Sequence, residues 1–229
     1  MMLEHNSWLE DARLTALVGH FGTGKTEVSV NMALALAELG RPVTLADLDV
    51  VDPYFRSRER AALFAQHGVG LITSSQACVN ADVPSLPAQV QALFEPESGF
   101  GILDIGGDAS GARVLARYHT GLMRAGVRLL FVLNANRPLT DTPEKAAAYV
   151  ERIQEAAKLS ITGLVNNTHL CGQTTPQDVL LGGKLAQTVS QRTGIPLLCH
   201  TAVREVIHLL PPMEEPVFPI TLYMKKPWE

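Results

Sequence analysis

No run in this 229-residue chain stays apolar for the roughly 18 residues that a membrane-spanning helix needs. Cysteine is scarce. Cys78, Cys171 and Cys199 are odd in number and widely spaced, so neither a disulfide framework nor a Cys-x-x-Cys metal motif follows from them. Burial as small apolar side chains is the expectation for all three. An excess of one charge is also lacking. With 19 Lys and Arg against 23 Asp and Glu the formal net charge is −4, which argues against a general nucleic-acid or anionic-membrane surface. Met1–Arg13 carries acids and no apolar run, unlike a secretory leader. These absences lead us to expect a soluble, cytoplasmic protein with no transmembrane segment and no nucleic-acid partner.

What is present is apolar sequence in short, regularly punctuated pieces. Hydrophobic residues are 46% and charged residues 18%, a balance that suits sheet faces covered on both sides. Strands are expected at Leu14–Val18, Val43–Ala46, Gly70–Thr73, Gly101–Ile105, Leu129–Leu133, Ile161–Val165 and Pro196–Cys199. Helices are expected at Lys25–Leu39, Arg56–Gln66, Leu86–Phe94, Gly111–Arg124, Pro143–Lys158, Leu180–Arg192 and Thr201–Leu209. Strand and helix alternate, the pattern of an α/β fold of three layers: a mainly parallel central sheet with helices on both faces. Residues 14–210 read as one nucleotide-binding domain, 1–13 as an N-terminal extension and 211–229 as a tail. Val217–Tyr223 within that tail is either an edge strand, where proline is tolerated, or an arm reaching a partner.

Gly19-His20-Phe21-Gly22-Thr23-Gly24-Lys25-Thr26 fits G-x-x-x-x-G-K-[ST] at every fixed position. The strand Leu14–Val18 precedes it, and Val28, Met32, Leu36 and Leu39 follow at helical spacing. Such a loop curls so that backbone N–H groups face phosphate, with the helix N-terminus adding partial positive charge. Lys25 then neutralises β/γ oxygens and the Thr26 hydroxyl ligates Mg²⁺. We include the adjoining Glu27 among the nucleotide-binding residues.

Three later stretches fall where ligands of open α/β sheets bind, beyond the carboxyl ends of strands. Asp47-Leu48-Asp49 sets two acids one residue apart, and Asp49 is expected to orient water or hold metal; Asp52 before Pro53 is either such an acid or a turn residue. Leu103-Asp104-Ile105-Gly106-Gly107 has the form of apolar strand, acid, glycine pair. Asp104 is expected at Mg²⁺ and the Gly107 N–H at the γ-phosphate. Asp108 is read first as the cap of the next helix. Asn166 and Asn167 are expected either to hydrogen-bond the base or simply to form a turn. No Asn-Lys-x-Asp guanine reader follows them, since His169 or Leu170 stands at the acid position, and this favours ATP over GTP.

Together these residues resemble the MinD/ParA-type ATPases of the SIMIBI class of P-loop proteins, from Leu14 to about Thr201. The resemblance implies ATP and Mg²⁺ as cofactors, with Lys25, Asp49 and Asp104 as catalytic residues. It also implies Thr26, Asp49 and Asp104 at the metal, and a homodimer that closes on nucleotide. One departure is specific. Such proteins carry a second lysine just after the first loop glycine, and this chain has His20 there. Arg56, Arg58 and Arg60 are candidates to supply that charge, or else an ordinary solvated helix face. Three functions stay open: an ATPase switch acting on an unknown client protein, an ATP-dependent ligase or kinase resembling dethiobiotin synthetase, and a non-hydrolysing nucleotide sensor.

Overall fold

The computed structural model describes residues 7–49, 61–73 and 88–224. Its strands are β1 (Leu14–Val18), β2 (Val43–Asp47), β3 (Gly70–Thr73), β4 (Phe100–Asp104), β5 (Arg128–Leu133), β6 (Gly163–Asn166), β7 (Leu197–Val203) and β8 (Val217–Ile220). They form one sheet in the order β3-β2-β4-β1-β5-β6-β7-β8, and every pairing is parallel. The helices are α1 (Lys25–Glu38), α2 (Ala61–Gln66), α3 (Ala88–Ala92), α4 (Ala109–Arg117), α5 (His119–Arg124), α6 (Pro143–Ala157), α7 (Pro176–Thr193) and α8 (Arg204–Ile207).

Alternation along the central strands builds the layers. Leu14, Ala16 and Val18 of β1 point into one core with Leu129, Phe131 and Leu133 of β5, covered by side chains of α3, α4, α5, α6 and α7. Leu17, Leu130 and Val132 point the other way, where α1, α2 and Phe218 of β8 cover them. The result is the three-layer architecture expected. Because β1 lies between β4 and β5, with β2 beyond β4, the loops leaving these strands open side by side at one end of the sheet.

Several boundaries differ from expectation. The Gly111–Arg124 helix is two pieces, because Tyr118 leaves helical backbone (φ −107°, ψ 15°) between α4 and α5. Thr201 does not begin a helix. β7 continues to Val203, since β8 pairs with it from His200↔Val217 to Val203↔Ile220. Val217–Ile220 is thus the edge strand. Beyond it, Asn31 of α1 donates to the Thr221 carbonyl (2.9 Å) and accepts the Thr221 N–H (2.8 Å). This cover explains why α1 buries Val30, Ala33 and Leu34 in addition to the stripe through Val28 and Met32. At the N-terminal side Trp8 is buried and meets Phe218 edge-on at 5.6 Å.

Candidate nucleotide-binding site

β1 delivers the chain to Gly19, where a Cβ would stand 2.4 Å from the Val132 carbonyl oxygen, so only glycine fits. The loop then closes on itself: the Thr23 N–H and hydroxyl both donate to the His20 carbonyl, at 3.2 and 2.9 Å. Lys25 Nζ lies 3.5 Å from the same oxygen. Gly24, the N-cap of α1, is left-handed (φ 82°, ψ 25°) and provides no side-chain cap. The first turn of α1 therefore presents N–H groups and partial positive charge where a phosphate binds.

The parallel register of β2 and β4 pairs Asp47 with Asp104, both buried. The Leu48 N–H donates to the Asp104 carbonyl at 2.9 Å, and the Asp49 N–H to Asp47 Oδ1 at 3.3 Å. These bonds bring Asp49 round so that its Oδ1 faces Gly106. Burial and then the Asp47 charge push the Asp104 carboxyl up to about 7; Lys25 and the neighbouring Thr26 hydroxyl oppose that shift, and Asp49 adds to it. Lys25, Thr26, Asp49 and Asp104 are therefore brought together.

Neither Asp104 oxygen has a hydrogen bond of standard geometry among the described residues. A buried carboxylate so placed, beside a threonine hydroxyl and an uncapped helix start, is a hard oxygen donor set that fits Mg²⁺ held partly through phosphate. His169 and Cys171 lie together in the loop after β6. Their Nδ1 and Sγ are 3.9 Å apart, and no metal-holding group of three or more His, Cys, Asp or Glu occurs among the described residues.

Gly107 packs on the phosphate loop. A Cβ there would lie 2.9 Å from the Phe21 N and 3.0 Å from Lys25 Nζ. Its carbonyl accepts the Tyr149 hydroxyl at 2.7 Å, and the Tyr149 ring meets His20 edge-on at 5.4 Å. Burial, with Lys25 and Arg137 nearby, favours neutral His20 against the opposing backbone contact of Phe21. His20 is thus no ready substitute for a fixed lysine charge. Asp108 caps α4, accepting the Gly111 N–H at 2.7 Å. Phe21 leaves its side chain 55% exposed at the loop tip.

Three expected nucleotide contacts have other partners. Asn166 is fully buried; its amide donates to the Val179 carbonyl (3.0 Å) and lies 3.0 Å from His200 Nδ1, while its oxygen accepts from Thr168. Asn167 donates to the Thr23 carbonyl at 2.7 Å and accepts the Thr201 hydroxyl, which makes it a brace under the phosphate loop. Both amides are spent inside the protein, because β6 is central and its end abuts the loop. The Glu27 carboxylate accepts the Tyr223 and Met224 N–H groups at 2.6 and 3.2 Å, holding the C-terminal segment instead of facing phosphate.

Cys199 is buried, and that burial pushes its thiol well up, while Cys171 is half-buried. Asp52, Arg56, Arg58, Arg60, Cys78 and Trp228 lie outside the described residues. Sequence reading noted Asp47 only as the companion of Asp49 and did not select Arg137, whose Nε donates to the Gly22 carbonyl at 2.7 Å. Arg137 follows the end of β5, so the carboxyl-end rule had the means to flag it. For Tyr149, in the middle of α6, no sequence signal exists.

No protein-family profile matches the chain, and no curated protein matches it in sequence. Solved structures do match. FtsY from Mycoplasma mycoides is 20% identical with a TM-score of 0.56, over 82% of this chain and 59% of that one. Cell division protein FtsY from Thermotoga maritima is 21% identical with a TM-score of 0.56, over 87% of this chain and 70% of that one. The signal recognition particle 54 kDa protein from Aeropyrum pernix, in complex with GDP, is 21% identical with a TM-score of 0.54, over 81% and 40%. The chain thus spans 59% of the Mycoplasma protein's length. These likenesses carry fold and not activity. Loop, sheet order and structural neighbours agree on the fold: a parallel three-layer α/β sheet with a P-loop after β1.

Proposed function

We propose that this chain is an Mg²⁺-dependent ATPase that works as a nucleotide-controlled switch on a client protein. The observation that carries the reading is the convergence of Lys25, Thr26 and Asp49 on the buried Asp104 carboxylate at the start of α1. Lys25 and the α1 N-terminus bind phosphate charge, Thr26 and Asp104 hold the metal, and Asp49 orients the attacking water. When bound, Mg²⁺ would neutralise charge on the phosphate oxygens. ATP is preferred over GTP because Asn167-Thr168-His169-Leu170 offers no carboxylate after β6, although the Aeropyrum neighbour holds GDP. A homodimer, if formed, lacks the usual second loop lysine.

Titration calorimetry with ATP and GTP, with and without Mg²⁺, tests this directly. ATP should bind in the presence of Mg²⁺, GTP at least tenfold more weakly, and Lys25→Ala should weaken ATP by more than about tenfold. Equal or tighter GTP binding would reverse the base assignment. No binding of either nucleotide would remove the reading. Phosphate release measured alone and with cell extract separates an ATPase from a passive sensor.

A further inference from the structure

Tyr149 belongs to none of the motifs of the site, yet it touches two of its loops. Its hydroxyl donates to the Gly107 carbonyl at 2.7 Å and its ring takes the edge-on contact with His20. The residue is 6% exposed and held from every side. Phe131 of β5 lies 6.1 Å away ring to ring, and the Arg152 guanidinium sits 5.5 Å above the ring. α6 itself is a 15-residue helix with Thr142 as a bonded N-cap and proline in its first turn, a rigid support.

The loop that Tyr149 grips follows β4: the Ile105 N–H donates to the Leu17 carbonyl at 3.2 Å, and Gly106 packs against Gly111. Gly106-Gly107 is permissive backbone, fixed beyond by the Asp108 cap on α4. Within it Gly107 confronts the Phe21 N and Lys25 Nζ, the ammonium that in such loops reaches the β/γ-phosphates. We infer that Tyr149 is a positioning residue: by anchoring Gly107 against the phosphate loop, it sets how strongly the site prefers a nucleoside triphosphate to a diphosphate. The inference rests on the nucleotide reading above. A diphosphate engages the curled loop and the α1 N-terminus alone. A triphosphate also engages the Gly107 side, so only its affinity includes the cost of ordering that segment.

The test is Tyr149→Phe, which removes one hydroxyl and keeps the ring. Affinities for ATPγS and ADP are measured with Mg²⁺ by calorimetry, alongside thermal melting. The ATPγS-to-ADP preference should fall about three- to tenfold, the worth of one neutral hydrogen bond, with ADP affinity unchanged. A merely structural role would lower the melting temperature and weaken both nucleotides alike, and that result overturns the inference. An unchanged preference overturns it too. A second measurement needs no variant: in wild type, ATPγS should slow amide exchange in 105–111 and in 146–152 of α6 beyond the effect of ADP. Equal protection by the two nucleotides counts against it. Wild type that binds neither nucleotide fails the underlying reading, whereas binding with unchanged preference in Tyr149→Phe fails this inference alone.

Discussion

Asp47 and Asp104 stand opposite each other on adjacent parallel strands, both buried, at the mouth of the sheet. Two carboxylates so close in low dielectric do not both ionise freely. Burial first, and then the Asp47 charge that strand register sets beside it, raise the Asp104 carboxyl, which links the stability of the site to pH.

The Asp104 carboxyl titrates near 3.8 when unfolded and at about 7 when folded. Between those values the folded state binds more protons, so stability falls as pH rises. The contribution is fully present below 3.8 and lost once pH passes about 7. In EDTA, the melting temperature of wild type should decline across this window relative to Asp104→Asn. Parallel pH profiles for the two proteins would show that Asp104 carries no such shift.

Asp49 lies beside Gly106 and beyond the end of β2, and on the proposed reading it orients the attacking water. Asp49→Ala should keep ATP affinity within a few-fold and slow phosphate release by about a hundredfold. Turnover at the wild-type rate removes Asp49 from the mechanism.

Gly24 combines a left-handed backbone with a Cβ position 2.3 Å from Asn167 Nδ2. Gly24→Ala has to strain the loop or displace Asn167 from the Thr23 carbonyl. The cost should be about 2–3 kcal/mol in urea unfolding, from backbone strain and a lost buried hydrogen bond. ATP binding should weaken at least tenfold. A variant of wild-type stability would mean that the loop relaxes without penalty.

Asn31 pairs with both backbone groups of Thr221, and Glu27 holds the Tyr223 and Met224 N–H groups. Asn31→Ala should destabilise the protein by about 1–3 kcal/mol. It should also raise protease cleavage after Ile220 more than elsewhere. Unchanged cleavage there would show that β8 alone retains the segment.

Much of the architecture was legible because it is written locally. The βα alternation shows in apolar runs and Gly-Pro punctuation, and each described strand lies within a few residues of its expected place. Where reading failed, a distant segment intervened. Thr201 continues a strand because β8 pairs beside it. The asparagines after β6 are a sharper case. Their position at a strand end is a local fact, but Asn167 meets Thr23 across 144 residues of chain.

The sequence by itself determined that a glycine-rich P-loop and two acids lie at the ends of parallel strands, because glycine conformations and strand periodicity are local properties. Tertiary structure alone decided that Asp104 stands opposite Asp47, that Glu27 serves the C-terminal segment, and that Tyr149 reaches Gly107. Those outcomes depend on register and packing between segments far apart in the chain. Short-range pattern has no access to them.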